Sequence, residues 1–140
     1  MNTRIVGQII SDGLIAMALV QSMGSSYEQR RVLNAVSRTG SLPDAVAIDA
    51  IKSAGVIGGS YDQAEALIAL IDRGGLTDAS AEAFYDSASR VSSSYDLRRV
   101  LMRAISSATL SDRVVEGLLR TAAKIDGSYD RAMLPWSKRE

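Results

Sequence analysis

The sequence predicts an all-α fold, an α-solenoid of 34-residue helical hairpins, and three observations carry that reading. Tyr27, Tyr61, Tyr95 and Tyr129 recur at a constant interval of 34 residues, each after a serine and before an acid. The same period returns in Leu33, Leu67 and Leu101, in Asp44, Asp78 and Asp112, and in Ala54, Ala88 and Ala122. Within each period apolar residues fall at helical spacing, alanine is abundant and the alternation of a β-strand is absent. Residues 1–140 then form a single repeat domain. Its parts are an N-terminal cap (1–26), three full units (27–60, 61–94, 95–128), and a C-terminal half-repeat with a tail (129–140).

The cap comes first. Ile10-Ser11-Asp12 resembles the start of a second helix but stands closer to Tyr27 than the repeats allow, so 1–26 read as a shortened capping unit. Asp12 and Gly13 interrupt its apolar stretch, whose longest clean run is Leu14–Val20. That is an amphipathic helix, not a clear signal peptide and too short to span a membrane.

The first helix of each unit opens at the Ser-Tyr-acid corner. The serine oxygen of Ser26, Ser60 or Ser94 can accept from first-turn N–H groups, and the acid sits where the helix dipole favours it. Val32, Leu33 and Val36 make the buried stripe of unit one; Leu67, Leu70 and Ile71 make that of unit two. Gly40 and Gly74–Gly75 supply the left-handed residue that ends these helices, and Ala108 holds that column in unit three. The second helices start at 42–44, 76–78 and 110–112, with Thr77 and Ser111 as caps and Pro43 in a first turn. They run to Ile57, Val91 and Ile125. Pro135 ends the last helix, and Trp136 folds back over the final repeat.

Charge narrows the function. Lysine plus arginine number 16 and aspartate plus glutamate 16, so the chain is neutral overall; a strongly basic nucleic-acid or membrane binder is excluded. Cysteine and histidine are absent, which removes disulfides, Cys/His zinc sites and any histidine-based triad. No cofactor is expected, and no pair of carboxylates stands out as an acid/base couple, so the chain reads as non-enzymatic. Segments 1–40, 41–86 and 87–140 nonetheless carry +2, −6 and +4. Aligned columns alternate in sign: Arg31, Glu65, Arg99; Lys52, Asp86, Arg120; Arg38, Asp72 and then uncharged Ser106. These columns predict ion-pair ladders between stacked units.

The phrases Ser-Ser-Tyr-Glu-Gln-Arg-Arg-Val-Leu (25–33) and Ser-Ser-Ser-Tyr-Asp-Leu-Arg-Arg-Val-Leu (92–101) each precede a Leu-x-Asp helix start. Over about residues 25–131 the chain resembles a bacterial tandem repeat of the Ser-Asp-Tyr-Glu type. Such repeats occur in extracytoplasmic regions of antibiotic-sensor-type membrane zinc peptidases and related proteins. It departs from that pattern in having Ser or Gly before the Ser-Tyr pair, and it contains no peptidase zinc motif. The resemblance implies a HEAT-like solenoid serving as a sensing or docking module, periplasmic or extracytoplasmic. The 34-residue period is also that of tetratricopeptide and TAL-effector repeats. The former's Trp/Gly/Tyr/Pro columns are missing, and the latter's glycine pair is echoed only by Gly58–Gly59.

A stacked array offers an extended face whose variable positions select a protein or peptide partner. The candidates are Asp49, Lys52, Ala83, Asp86, Gly117 and Arg120, which vary in fixed columns of the second helix. The four tyrosines are expected to be structural, packing against preceding helix ends. Two alternatives stand beside this reading. Arg30, Arg31, Arg98 and Arg99 could track a nucleic acid, although unit two carries Ala64–Glu65 in that place. The segmental charges could instead drive head-to-tail self-association.

Overall fold

The computed structural model describes residues 25–37, 43–107, 110–123 and 125. The expectations for the cap, Gly40, Ala108, Tyr129, Pro135 and Trp136 lie outside the described residues. Among those described, the chain forms six helices and no strand: α1 Ser26–Ser37, α2 Asp44–Gly55, α3 Ser60–Asp72, α4 Ala81–Ser89, α5 Ser94–Ile105 and α6 Asp112–Ala122.

The helices pack in two sets. Helix α1 lies along α3 and α3 along α5, while α2 lies along α4 and α4 along α6. Helices consecutive in the chain join the sets, most closely α2 with α3 and α5 with α6. Between the sets runs one apolar core. Leu33, Leu67 and Leu101 are fully buried in α1, α3 and α5, and Ala54, Ala88 and Ala122 are buried in α2, α4 and α6. Small alanines let the second helices approach, and the leucines supply most of the area removed from water.

Corner chemistry explains where each helix begins. The cap is one residue earlier than the sequence suggests. Ser93, extended at ψ 122°, accepts from Asp96 N at 3.3 Å, and Ser25 Oγ takes the same place before Glu28. Ser60 is already helical, so its hydroxyl is freed to bond Ser92 Oγ at 2.7 Å and to accept from Ser93 N at 3.3 Å. That contact ties the corner before α3 to the corner before α5. Ser111 caps α6 as expected, accepting from Val114 N, and Pro43 stands at the cap position before α2 instead of inside its first turn.

Helix α4 starts three residues later than the Leu-Thr-Asp column predicts. Thr77 N donates to Ser80 Oγ at 2.9 Å and Ser80 N donates to Thr77 Oγ1 at 3.3 Å, so 77–80 close on themselves as a turn. Reciprocal side-chain bonds of this kind offer the backbone an alternative to the helix.

The ends are equally specific. Gly74 is the one positive-φ residue among those described, at 77°. Its N–H bonds Ile71 O and the N–H of Gly75 bonds Leu70 O, which closes α3 in a Schellman turn. The second helices stop two or three residues short of Ile57, Val91 and Ile125. These three residues are buried beyond the helix end, and each donates its N–H to the residue three before it. One plug geometry thus recurs at all three sites.

Candidate functional site

The second helices α2, α4 and α6 carry all six residues singled out as partner-binding candidates. Their outer surface is indented by two adjoining clefts. One, of about 380 Å³, lies between α2 and α4 and is lined by Ile48, Lys52, Ala79, Glu82, Ala83 and Asp86. The other, of about 300 Å³, lies between α4 and α6 and includes Glu82, Tyr85, Asp86, Gly117 and Arg120. Glu82 and Asp86 belong to both, so the clefts adjoin along α4 and together form the furrow of the three helices referred to below. Five of the six candidates line it: Lys52, Ala83, Asp86, Gly117 and Arg120.

Asp49 does not. Its side chain is buried, at 8% exposure, and its Oδ2 has no hydrogen-bond partner. Burial pushes its carboxyl above the ordinary range, partly offset by the Lys52 ammonium. A carboxyl with a raised pKa is comfortable when protonated; its penalty builds as pH rises from the ordinary value to the raised one and is constant above it. Replacing Asp49 with alanine, the residue of its column in unit two, is therefore expected to stabilise the fold by about 1 kcal/mol at neutral pH. The gain should vanish as pH falls below the ordinary aspartate value of 3.8. Thermal melts of both proteins across pH 3–7 check this, and an equal gain at every pH contradicts it.

Gly117 is also enclosed. The Tyr85 ring lies over it, in the space a side chain at 117 would take, and Tyr85 Oη donates to Val114 O at 3.1 Å. Sequence reasoning missed Tyr85 as part of this face because its column reads Ile51, Tyr85, Leu119, which looks like ordinary apolar variation. A second unremarked column is Ser53, Ser87 and Thr121, all buried. Ser53 and Thr121 donate to carbonyls one turn back, whereas Ser87 donates across to Ile51 O at 2.8 Å and pins α4 to α2.

The charge columns divide by layer. In the first helices Arg99 pairs with Glu65, as its column predicts, and also with Asp96 at 3.1 Å. Its guanidinium is held above its usual pKa, first by the hydrogen bond to Glu65. Asp72 receives a two-pronged contact from Arg103 at 2.6 and 2.8 Å; Arg38, the charged member of its column, lies outside the described residues. Arg30 reaches Asp62 at 2.9 Å. In the second helices Asp86 takes Arg90 at 3.3 Å and Arg120 takes Glu116 at 3.6 Å, both one turn away, while Arg113 reaches across from α6 to Glu82 of α4 at 3.9 Å. Lys52, Asp86 and Arg120 thus keep their alternating signs exposed along the furrow.

Three of the repeat tyrosines can be placed, and their setting is not the expected packing against a helix end. Tyr27, Tyr61 and Tyr95 are 53%, 56% and 57% exposed, each second in its helix and each approached by guanidinium groups. Arg30 serves Tyr27 and Tyr61 at 5.3 and 5.7 Å, Arg99 serves Tyr61 at 5.5 Å, and Arg98 serves Tyr95 at 5.1 Å. Of the arginines read as a possible nucleic-acid stripe, Arg30, Arg31 and Arg99 are in contact with carboxylates.

Among the described residues no three carboxylates are grouped to hold a metal ion, and no helix is long and apolar enough to cross a membrane. Comparison with family models, curated proteins and solved structures finds no match for this chain.

Proposed function

We infer that the chain is a solenoid of 34-residue helical hairpins that binds a protein or peptide along the furrow of α2, α4 and α6, without catalysis. The observation that carries this reading is the pair of adjoining clefts across three helices, lined at repeat-equivalent positions by Lys52, Asp86 and Arg120. Its floor is small at Ala83 and filled at Gly117 by Tyr85, so it suits an extended segment better than a deep-seated ligand. The alternating charge offers a register: a partner with acid, base and acid at matching intervals gains at each step.

Support for the array comes from equivalence. Leu33, Leu67 and Leu101 share one burial, and Tyr27, Tyr61 and Tyr95 one exposure. Each helix packs mainly on the helix two places along the chain, the arrangement expected when identical pairs are stacked. The resemblance to Ser-Asp-Tyr-Glu repeats is consistent with a docking or sensing module of a larger bacterial protein.

The reading is tested by selecting binders from a displayed library of random peptides. Peptides that bind the wild-type chain should lose about tenfold or more in affinity for the Lys52→Ala, Asp86→Ala, Arg120→Ala triple variant. These side chains are exposed, so the variant should stay folded, with a small loss of stability at neutral pH because Lys52 no longer offsets the buried Asp49 charge. Selected peptides that bind both proteins equally would reject the furrow as the binding face.

A further inference from the structure

The second helices repeat one contact. In α2, Ile51 is 1% exposed, and its carbonyl accepts from Ser87 Oγ of α4 at 2.8 Å. In α4, Tyr85 holds the same column, covers Gly117 of α6 and donates to Val114 O at 3.1 Å. This column therefore points at the next second helix. Leu119 holds it in α6, where it is 39% exposed. Among the described residues no helix follows α6 in that layer. We propose that this end face of α6 binds one amphipathic helix of a partner protein, laid on α6 as α4 lies on α2 and α6 on α4. The incoming helix presents a cation, a small residue and a hydroxyl at four-residue intervals.

An exposed leucine alone is ordinary. Three columns that open together are not. Ala47 and Ala81 are buried where Val115 is half-buried. Gly55 is buried and Ser89 half-buried where Ala123 is exposed. Val115, Leu119 and Ala123 are spaced by four, so they make one stripe along α6. A stacked array closes with a polar outer face, and this stripe is apolar.

Continuity with the two existing contacts specifies the occupant. Toward α2, helix α4 turns Ser87, so near Gly55 that a Cβ at 55 would meet Ser87 Cα at 3.1 Å. Toward α4, helix α6 turns Gly117, under the Tyr85 ring, and Arg113, which reaches Glu82 at 3.9 Å. Arg113, Gly117 and Thr121 thus form a seam, and Ala83 and Ser87 hold its last two places in α4. On the receiving side Leu119 stands in the column of Tyr85 and Glu116 in that of Glu82. Glu116 meets Arg120 of its own helix at 3.6 Å with both side chains mostly exposed, a weak pair that leaves it open to a second cation. A second copy of the chain cannot offer the seam from its own second helices, because Ser53, Ser87 and Thr121 are all buried. The occupant is a helix of a different molecule.

The probe is a fluorescein-labelled peptide with the sequence of residues 110–125, its positions 115 and 119 joined by a hydrocarbon staple. Short helices are marginal alone in water, and a staple placed there leaves Arg113, Gly117 and Thr121 free. Fluorescence anisotropy with the full chain should show saturable binding. Leu119→Lys in the chain should weaken it about tenfold or more. A cation in the last turn suits the helix dipole, so that variant keeps its fold; Ala123→Lys gives a second reading one turn on. Gly117→Leu in the peptide should also cost about tenfold, because Leu119 takes that space, whereas mere hydrophobic adhesion would tighten binding. Arg113→Glu in the peptide should cost about two- to fivefold, recovered against Glu116→Lys in the chain. Docking on α6 needs the stacking of the second helices but not the furrow, so the Lys52→Ala, Asp86→Ala variant should bind the peptide like the wild type, and the two sites fail independently. Absence of saturable binding overturns the proposal. Binding unchanged in both Leu119→Lys and Ala123→Lys, or tightened by Gly117→Leu in the peptide, does the same. A chain that dimerises alone in light scattering, and loses this in Leu119→Lys, would assign the face to a second copy and reject the partner helix.

Discussion

Phe84→Ala is expected to lower the unfolding free energy by about 3–5 kcal/mol, the range for deleting a fully buried phenylalanine. Phe84 is 1% exposed, the largest side chain of the core, and it lies in the shortest helix, α4. Its column reads Ala50, Phe84, Leu118, so the central unit fills alone a space that alanine and leucine fill on either side. Phe84 also meets Tyr85 edge to face, with centroids 6.5 Å apart and planes at 76°. Tyr85 in turn covers Gly117 and bonds Val114 O, so the cavity would loosen the contact between α4 and α6. Phe84→Leu, which adopts the residue of unit three, should cost less than half as much. Urea titration measures both. Since whole domains are stable by only about 5–15 kcal/mol, the alanine variant should unfold at a much lower midpoint. A loss below about 1 kcal/mol would mean that Phe84 is not a core residue.

That burial could be anticipated, but not which residue carries most of it. Periodicity identifies Leu33, Leu67 and Leu101 as inward-facing because every unit repeats the same letter, and all three are buried. Gly74 was likewise visible as the left-handed stop of α3. What the sequence hides are choices between competing local partners. The Thr77–Ser80 turn delays α4 although its column starts the neighbouring helices, because Ser80 has no counterpart serine in the other units. The cap falls on Ser93 and not Ser94, a one-residue difference that moves Ser60 from capping to bridging. Ion pairs follow the same logic. Glu65 and Arg99 meet across helices because the positions three and four away from the glutamate, Tyr61, Asp62, Ile68 and Ala69, offer it no cation. Asp86 and Arg120 are captured within their own helices, by Arg90 and Glu116 one turn away, where i,i+4 geometry needs no crossing. The exposure of the tyrosines has the same origin. A ring beside an acid at a helix start looks like packing until arginines are seen over it, Arg30 and Arg31 on Tyr27, Arg98 on Tyr95, and Arg30 and Arg99 from the neighbouring helices on Tyr61. For the candidate site, the columns point to residues of α2, α4 and α6, five of which line clefts, yet they could not separate Asp49, which is buried, from Lys52, which is not.

Gly55→Val should be as damaging as the loss of Phe84, and for the opposite reason. Gly55 ends α2 where that helix touches α4. A Cβ there would lie 2.6 Å from Ser87 Oγ and 3.1 Å from Ser87 Cα. The second distance is to backbone, so no rotamer change relieves it and the helices must separate. Separation strains the Ser87 hydroxyl bond to Ile51 O at 2.8 Å and the Gln63 Nε2 bond to Gly55 O at 3.1 Å, both buried. Alanine at 55 gains about 1 kcal/mol of helix propensity over glycine, against an overpacking cost of about 1–3 kcal/mol. Its net effect should be a modest loss, whereas valine adds two more methyl groups and should cost about 3 kcal/mol or more. The double variant Gly55→Ala, Ser87→Gly distinguishes crowding from any defect of α2 itself. Removing the Ser87 side chain takes away the nearest atoms, so the two substitutions should be less harmful together than their separate effects predict. Strict additivity in denaturant titrations would show that α2 and α4 do not meet at these residues. The close pairing of the second helices, on which the furrow depends, would then be wrong.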